Sequence, residues 1–200
     1  MSTLALTRRY ADPVTGTDQA TAAKTESLDR FLRGVERRAL RMAELAVGDL
    51  DDALELVQEA MLGFVRRYRD KPEAEWPPLF YRVLESRITD HQRRRQVRGR
   101  VMGWLRGGSD PEFATDALAQ VPDPREPGPA QRAADQQTRS ALIAAVARLP
   151  RRQRQVFLLR VWEGLDVADT ARALEVGEGS VKTHLSRALA HLREHLEQWQ

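Results

Sequence analysis

Lys182, Thr183, His184, Ser186 and Arg187 are crowded into one short stretch, with Ser180 just before them. Wound into a helix, Val181, Leu185, Ala188, Leu189 and Leu192 form an apolar stripe, and the cations and hydroxyls fall on rows that face away from it. A lysine or arginine there can neutralise a phosphate or reach a guanine edge, and a short hydroxyl can donate to either. That chemistry is binding rather than bond-making, and its natural ligand is duplex DNA. An ordinary helical hairpin with a solvated basic face is the alternative.

A second concentration of chemistry lies between Leu79 and Arg106, where eight arginines stand against two acids. Arg82, Ser86, Thr89 and Arg93 share one side of a helix, and Arg93, Arg94 and Arg95 are consecutive. Guanidinium groups suit phosphates better than ammonium groups do, so the run points to a polyanion. Trp76, Phe80 and Tyr81 stand beside it. Phe80 fits a buried stripe. Trp76 and Tyr81, if exposed next to cations, would suit the stacking of unpaired bases.

The third constellation has the opposite sign. Asp51, Asp52, Glu55, Gln58 and Glu59 recur at three- and four-residue spacing. Taken in isolation, an acidic helix face is better accounted for by ordinary solubility; the functional reading is a docking surface for a basic partner.

Helices must position all three groups. Leu28, Phe31, Leu32, Val35, Ala39, Met42 and Leu45 predict a first helix ended by Gly48. Asp49 then caps a second, with Leu50, Leu54, Val57, Met61, Phe64, Val65 and Tyr68 as its apolar stripe. A loop is expected around Lys71 to Pro78, broken by three prolines, and a third helix carries Leu79, Phe80, Val83, Leu84 and Ile88 inward. Near the C-terminus, Leu142, Val146 and Leu149 mark one helix, and Val156, Phe157, Leu159 and Val161 the next, ended by Glu163-Gly164. Asp166 caps a short helix to Leu174, Gly177 turns the chain, and the last helix runs from about Glu178 through His195. A short helix, a glycine turn and a longer helix make a helix-turn-helix. No strand pattern is present, so the expected fold class is all-α.

From Gly107 to Ala134 the character changes: five prolines, three glycines, and five acids against two arginines. Such a stretch suits a linker. The organisation expected is a flexible tail at 1–24, a helical domain at 25–106, an acidic Pro-rich linker at 107–134 and a helix-turn-helix domain at 135–200.

Cysteine is absent, which excludes disulfides and thiolate metal sites and fits a cytoplasmic protein. No apolar run is long enough to span a membrane, and the N-terminus lacks the core of a signal peptide. His184, His191 and His195 share one helix, but two histidines without a carboxylate partner make a weak metal site. Neither a phosphate-binding glycine loop nor a nucleophile elbow occurs. No catalytic residue, metal or cofactor is expected, and the chain does not read as an enzyme.

In this order, the three constellations resemble the bacterial RNA polymerase sigma factors of the extracytoplasmic-function (ECF) group, within the sigma-70 family. The stretch from Asp52 to Ala60 is similar to that family's polymerase-binding helix. Leu79 to Leu84, with Thr89-Asp90-His91 and the arginines, is similar to its minus-ten reader. Leu149-Pro150, Glu163-Gly164-Leu165 and Gly179-Ser180-Val181-Lys182-Thr183 match its minus-thirty-five reader.

The resemblance implies a role in transcription initiation, with core RNA polymerase and promoter DNA as partners. An anti-sigma factor is a further partner class in the family. It also implies Asp52, Glu55, Gln58 and Glu59 as polymerase contacts and Trp76, Tyr81, Arg82, Ser86, Arg93, Arg94 and Arg95 as contacts to opened DNA. Ser180, Lys182, Thr183, His184, Ser186 and Arg187 would meet the duplex. The chain departs from the family at Ser86, where asparagine is frequent, at Gly177, where serine is usual, and at Glu175, where glycine is common. A regulator using the same helix-turn-helix without engaging polymerase, and a helical adaptor that binds only protein, are the alternatives.

Overall fold

A computed structural model describes residues 14–106 and 141–197. Every regular element among them is helical, as the hydrophobic periodicities predict. The linker expected at 107–134 lies outside the described residues. Packing divides the chain at Val35: the stretch up to Val35 makes one unit, and Glu36–Gln200 makes the other.

Helix α1 spans Val14–Val47. It begins well before residue 25, within the stretch expected to be a tail. Gln19, Ala20, Ala22, Ala23 and Lys24 have no helix breaker among them, so intrinsic propensity favours carrying the helix outward, and Ala22, Ala23 and Lys24 are exposed. At its other end Gly48 takes φ of 75° and donates its amide to the Glu44 carbonyl at 2.8 Å, the left-handed cap that glycine adopts most cheaply.

Helix α2, Leu50–Tyr68, starts where Asp49 accepts a hydrogen bond from the Asp52 amide at 2.9 Å. A cap of this kind is worth about 1 kcal/mol. Its buried face is Ala53, Leu56, Val57, Ala60 and Phe64. Leu50 and Leu54, expected in that stripe, are exposed instead. The stripe is centred one step away, because Ala53 and Ala60 let the neighbouring helix come close and the longer leucines are turned out.

After a single 3-10 turn at Glu73–Glu75, helix α3 runs from Trp76 to Arg106. Pro77 and Pro78, expected to belong to a loop, occupy its first turn. There a missing N–H costs nothing, since the first amides of a helix have no partner within it. Phe64 of α2 is the centre of an aromatic cluster. Trp76 and Phe80 meet it edge-on, with ring centroids 6.4 and 5.9 Å away.

The C-terminal lobe opens with helix α4, described over 141–148. Ile143, Ala145, Val146 and Leu149 are buried there, while Leu142 is exposed. Helix α5, Arg151–Phe157, follows Pro150 and winds directly into a π-helical segment at Leu158–Trp162. The wider winding turns Val161 and Trp162 outward while Leu158 and Leu159 stay buried. Val161 was expected on the apolar face; a 3.6-residue period cannot anticipate the change of pitch.

Asp166 caps helix α6, Val167–Leu174, through the Asp169 amide at 2.7 Å. Gly177 accepts the first hydrogen bonds of helix α7, Glu178–Glu197, from Ser180 and Val181. Val181, Ala188 and Leu192 are buried under α7, and Leu189 lies at the edge of its stripe. His191 spends its Nδ1 on the Gln153 side chain, 2.8 Å away, in a structural contact. The two lobes touch: α6 packs on α3.

Candidate nucleic-acid and polymerase interfaces

Helix α7 presents its polar row openly. Ser180, Lys182, Thr183, Ser186 and Arg187 are all exposed, while Val181 and Ala188 on the reverse are buried. The Thr183 hydroxyl donates back to the Gly179 carbonyl at 2.9 Å. This bond fixes its rotamer and leaves the oxygen's lone pairs outward. His184 is half-buried with Nδ1 enclosed and without a hydrogen-bond partner, so one edge of its ring is closed to a ligand. Among the described residues Lys182 and Arg187 make no ion pair, and their charges are available to phosphate or to base edges.

Helix α3 differs. Trp76 and Tyr81, expected to be exposed stacking platforms, are each only 1% exposed. The Trp76 indole N–H donates to the Lys71 carbonyl at 2.9 Å, and its ring packs against Phe64. The Tyr81 ring packs edge-on against Phe80, with centroids 5.2 Å apart, and its hydroxyl donates to the Glu163 carboxylate in the C-terminal lobe. Burial and that carboxylate push the Tyr81 phenol well above its ordinary pKa. A sequence cannot reveal this covering, since Glu163 lies far along the chain.

Further along the same face, Arg82 pairs with Glu175, Glu85 accepts from the Gln155 amide, and the Thr89 hydroxyl accepts from Arg151. Burial holds the Glu85 carboxyl above the usual carboxylate range, opposed by Gln155 and by Arg151, Arg154 and Arg152. Glu163, held between Tyr81 and Arg38 at 3.2 Å, is raised by burial in the same way. Beside this row runs an open groove of about 520 Å³, its walls carrying Arg67, Arg82, Arg87, Arg93, Arg151 and Arg152. Ser86 is exposed on its wall.

The three consecutive arginines are not equivalent. Arg93 sits 3.9 Å from Asp90, and Arg94 donates to the Asp90 carbonyl. Arg95 donates to the Val47 carbonyl at 3.1 Å, next to a bond from Gln92 to the Ala46 carbonyl at 2.8 Å. Together they satisfy the last carbonyls of α1, so Arg95 is partly a helix cap. Reasoning from sequence missed that role because the acceptors are backbone atoms.

The acidic face of α2 also divides. Asp52 lies 3.3 Å from His91, and Glu59 lies 3.6 Å from Arg87. Both carboxylates line a smaller cleft with Arg94 and Arg95. Glu55 and Gln58 are exposed. Beside them Leu54 and Leu62 are 41% and 57% exposed, and Leu50 continues the row. Apolar residues at four- and eight-residue spacing on the solvent side form a face that solubility does not explain. The signal was in the sequence, hidden because Leu50 and Leu54 also fit a core stripe, which did not include Leu62.

The family models agree with this layout. Residues 28–98 match sigma-70 region 2, and residues 139–192 match sigma-70 region 4. The chain is 32% identical to the RNA polymerase sigma-E factor of Streptomyces avermitilis, covering 84% of each protein. It is 32% identical to the ECF RNA polymerase sigma factor SigF of Caulobacter vibrioides, over 95% of this chain and 94% of that one. Among solved structures, the fold is similar to the sigma factor RpoE of Bartonella quintana, crystallised with the anti-sigma factor NepR. The TM-score is 0.57 at 22% identity, covering 84% of this chain and 97% of that one. It is also similar to CnrH, solved with the cytosolic domain of CnrY, at a TM-score of 0.56 and 14% identity, over 90% and 94% of the two chains. No described helix is long and apolar enough to cross a membrane. With regions 2 and 4 both matched in order, the chain belongs to the sigma-70 family of RNA polymerase sigma factors, in its extracytoplasmic-function group.

Proposed function

We propose that this sigma factor docks on core RNA polymerase through the exposed face of α2, reads the upstream promoter element with α7, and holds the opened minus-ten strand along α3. The observation that carries the docking assignment is the row of Leu50, Leu54 and Leu62 beside Glu55 and Gln58. An apolar row edged by carboxylates suits a partner with apolar and basic side chains. Asp52 and Glu59 reach the same partner from the neighbouring cleft.

Duplex recognition falls to Lys182, Arg187, Ser180, Thr183 and Ser186, with His184 beside them. Strand capture falls to Arg82, Ser86, Arg93 and Arg94. Trp76 and Tyr81 serve by shaping the core beneath that face until it is uncovered. The domains at 25–106 and 135–200 act as two reading heads tied by the acidic linker at 107–134. The protein performs no bond chemistry of its own and works in the cytoplasm, where polymerase and DNA are.

Co-purification with core polymerase tests the reading. Reversing the charge at Glu55 with lysine and adding one with Gln58→Lys places like charge against the basic partner and should cost several kcal/mol of association. The circular-dichroism spectrum should stay unchanged, since neither side chain is buried. If the folded variant binds polymerase normally, this face is not the docking site.

A further inference from the structure

Six arginines converge on one groove from three helices. Arg67 comes from α2, Arg82, Arg87 and Arg93 from α3, and Arg151 and Arg152 from α5, around an open space of about 520 Å³. Bringing like charges together costs free energy unless an anion offsets it. The groove's own carboxylates offset it only in part. Glu175 pairs with Arg82, Asp90 lies 3.9 Å from Arg93, and Glu85 is buried beneath, accepting from the Gln155 amide. Burial raises the Glu85 pKa and so favours its protonated form, which weakens its opposition to a second anion. Among the described residues Arg67, Arg151 and Arg152 form no ion pair, and all three are exposed. Arg151 and Arg152 donate instead to the neutral Thr89 hydroxyl and Gln155 amide, which leaves their charges unbalanced.

The layout of this charge decides between ligands. A DNA strand spreads one charge over each nucleotide and suits cations set in a row. Here the cations reach one space from three helices, and the two on α5 lie off the strand-holding face proposed for α3. A polyphosphate chain concentrates several charges in a short span, and forked guanidinium donors match its oxygens two at a time. The volume falls within the range of small-molecule sites. Ser86, exposed on the wall, adds a hydroxyl donor. Tyr68, half-buried on the same wall, offers part of a ring on which a nucleotide base can stack.

We propose that this groove is a binding site for a compact polyphosphate anion, either free inorganic polyphosphate or the phosphate tail of a nucleotide, held between α2, α3 and α5. The groove exists with the two lobes packed together, the closed form of the structure. Arg82 and Arg93 also belong to the face proposed for the opened strand, so ligand and strand would exclude each other there. That consequence rests on the strand reading; the site itself does not.

Isothermal titration calorimetry of the full-length protein with sodium tripolyphosphate and, separately, with GTP tests the site. Both should bind saturably. Affinity for tripolyphosphate equal to or above that for GTP identifies the inorganic chain as the ligand. Tighter binding of GTP, lost with Tyr68→Ala, identifies a nucleotide. Arg67→Ala, and separately the double variant Arg151→Ala/Arg152→Ala, should weaken binding by about tenfold or more for each arginine removed. Arg66→Ala removes the same charge one residue away, outside the groove, and should bind as the unaltered chain does. All four arginines are exposed, so the melting midpoints should hold.

Absence of saturable binding by both probes overturns the proposal. So does undiminished binding by either groove variant, or an equal loss with Arg66→Ala, which would reduce the effect to net charge. If only a single-stranded DNA oligonucleotide binds in dependence on these arginines, the groove is part of the strand face and the polyphosphate site falls.

Discussion

Helices α3 and α7 are both rich in groups that bind nucleic acid, yet one is open and the other is covered. On α7 the row from Ser180 to Arg187 faces solvent, and its cations are unengaged among the described residues. On α3, Tyr81 and Arg82 are held by Glu163 and Glu175, and Arg95 is tied to the end of α1. The ligands proposed for the two helices account for the difference. A major groove accepts side chains that project from a smooth helix, and nothing need move. A separated strand needs pockets and stacking surfaces, which are apolar and costly to leave exposed before DNA arrives.

The sharpest way to break this contrast is Gln155→Glu. It sets a second carboxylate against the buried Glu85, and two like charges in that setting cannot both stay ionised without separating. With spin labels at Arg66→Cys and Glu194→Cys, both exposed positions in a chain without cysteine, the distance between labels should lengthen, while duplex binding by α7 stays the same. Equal loss of duplex binding would mean the substitution unfolds the C-terminal lobe, and the contrast would lose its support.

Next in size is truncation of α7. Lys182→Ala or Arg187→Ala should weaken upstream-element binding by roughly 1–3 kcal/mol where the contact is to a base edge, and uniformly across sequences where it is to phosphate. The effect should be present before any opening step. The double variant Arg93→Ala/Arg94→Ala should instead spare upstream binding and reduce permanganate-reactive thymines in the polymerase complex. If both variants fail at the same step, the two helices are not doing different jobs.

A smaller effect is expected from pH. Glu85 and Glu163 have raised pKa values in the closed form and return toward the ordinary value of 4.5 when exposed, so the closed form binds more protons. Their contribution to closure is full below that ordinary value and fades as pH rises through the raised values. Arg151, Arg152 and Arg154 around Glu85, and Arg38 with Tyr81 around Glu163, limit its size. The spin-label distribution should be narrower at about pH 5 than at about pH 8; the reverse order would contradict the assignment.

The smallest change is Arg95→Ala. Losing one hydrogen bond to the Val47 carbonyl should lower stability by about 0.5–1.5 kcal/mol. It should alter promoter opening less than loss of Arg93 and Arg94 does, which would separate the capping arginine from its neighbours.

Local rules were enough for much of this molecule. The caps at Asp49 and Asp166, the stop at Gly48, the stripe under α7 and the outward row of Lys182, Thr183, Ser186 and Arg187 depend on neighbours within a turn or two, so spacing alone determines them. The arginine-rich and acidic faces were legible for the same reason. Long-range packing decided the rest. It chose Ala53 and Ala60 over Leu50 and Leu54 as the inner face of α2, because backbone approach depends on the partner helix. It buried Trp76 and Tyr81, which composition beside arginines had made look available. It also gave Glu175 a partner on α3, far back in the sequence, where no periodicity in the chain could place one. A residue's own helix tells which way its side chain points; what it meets there is set by segments that lie far away in sequence.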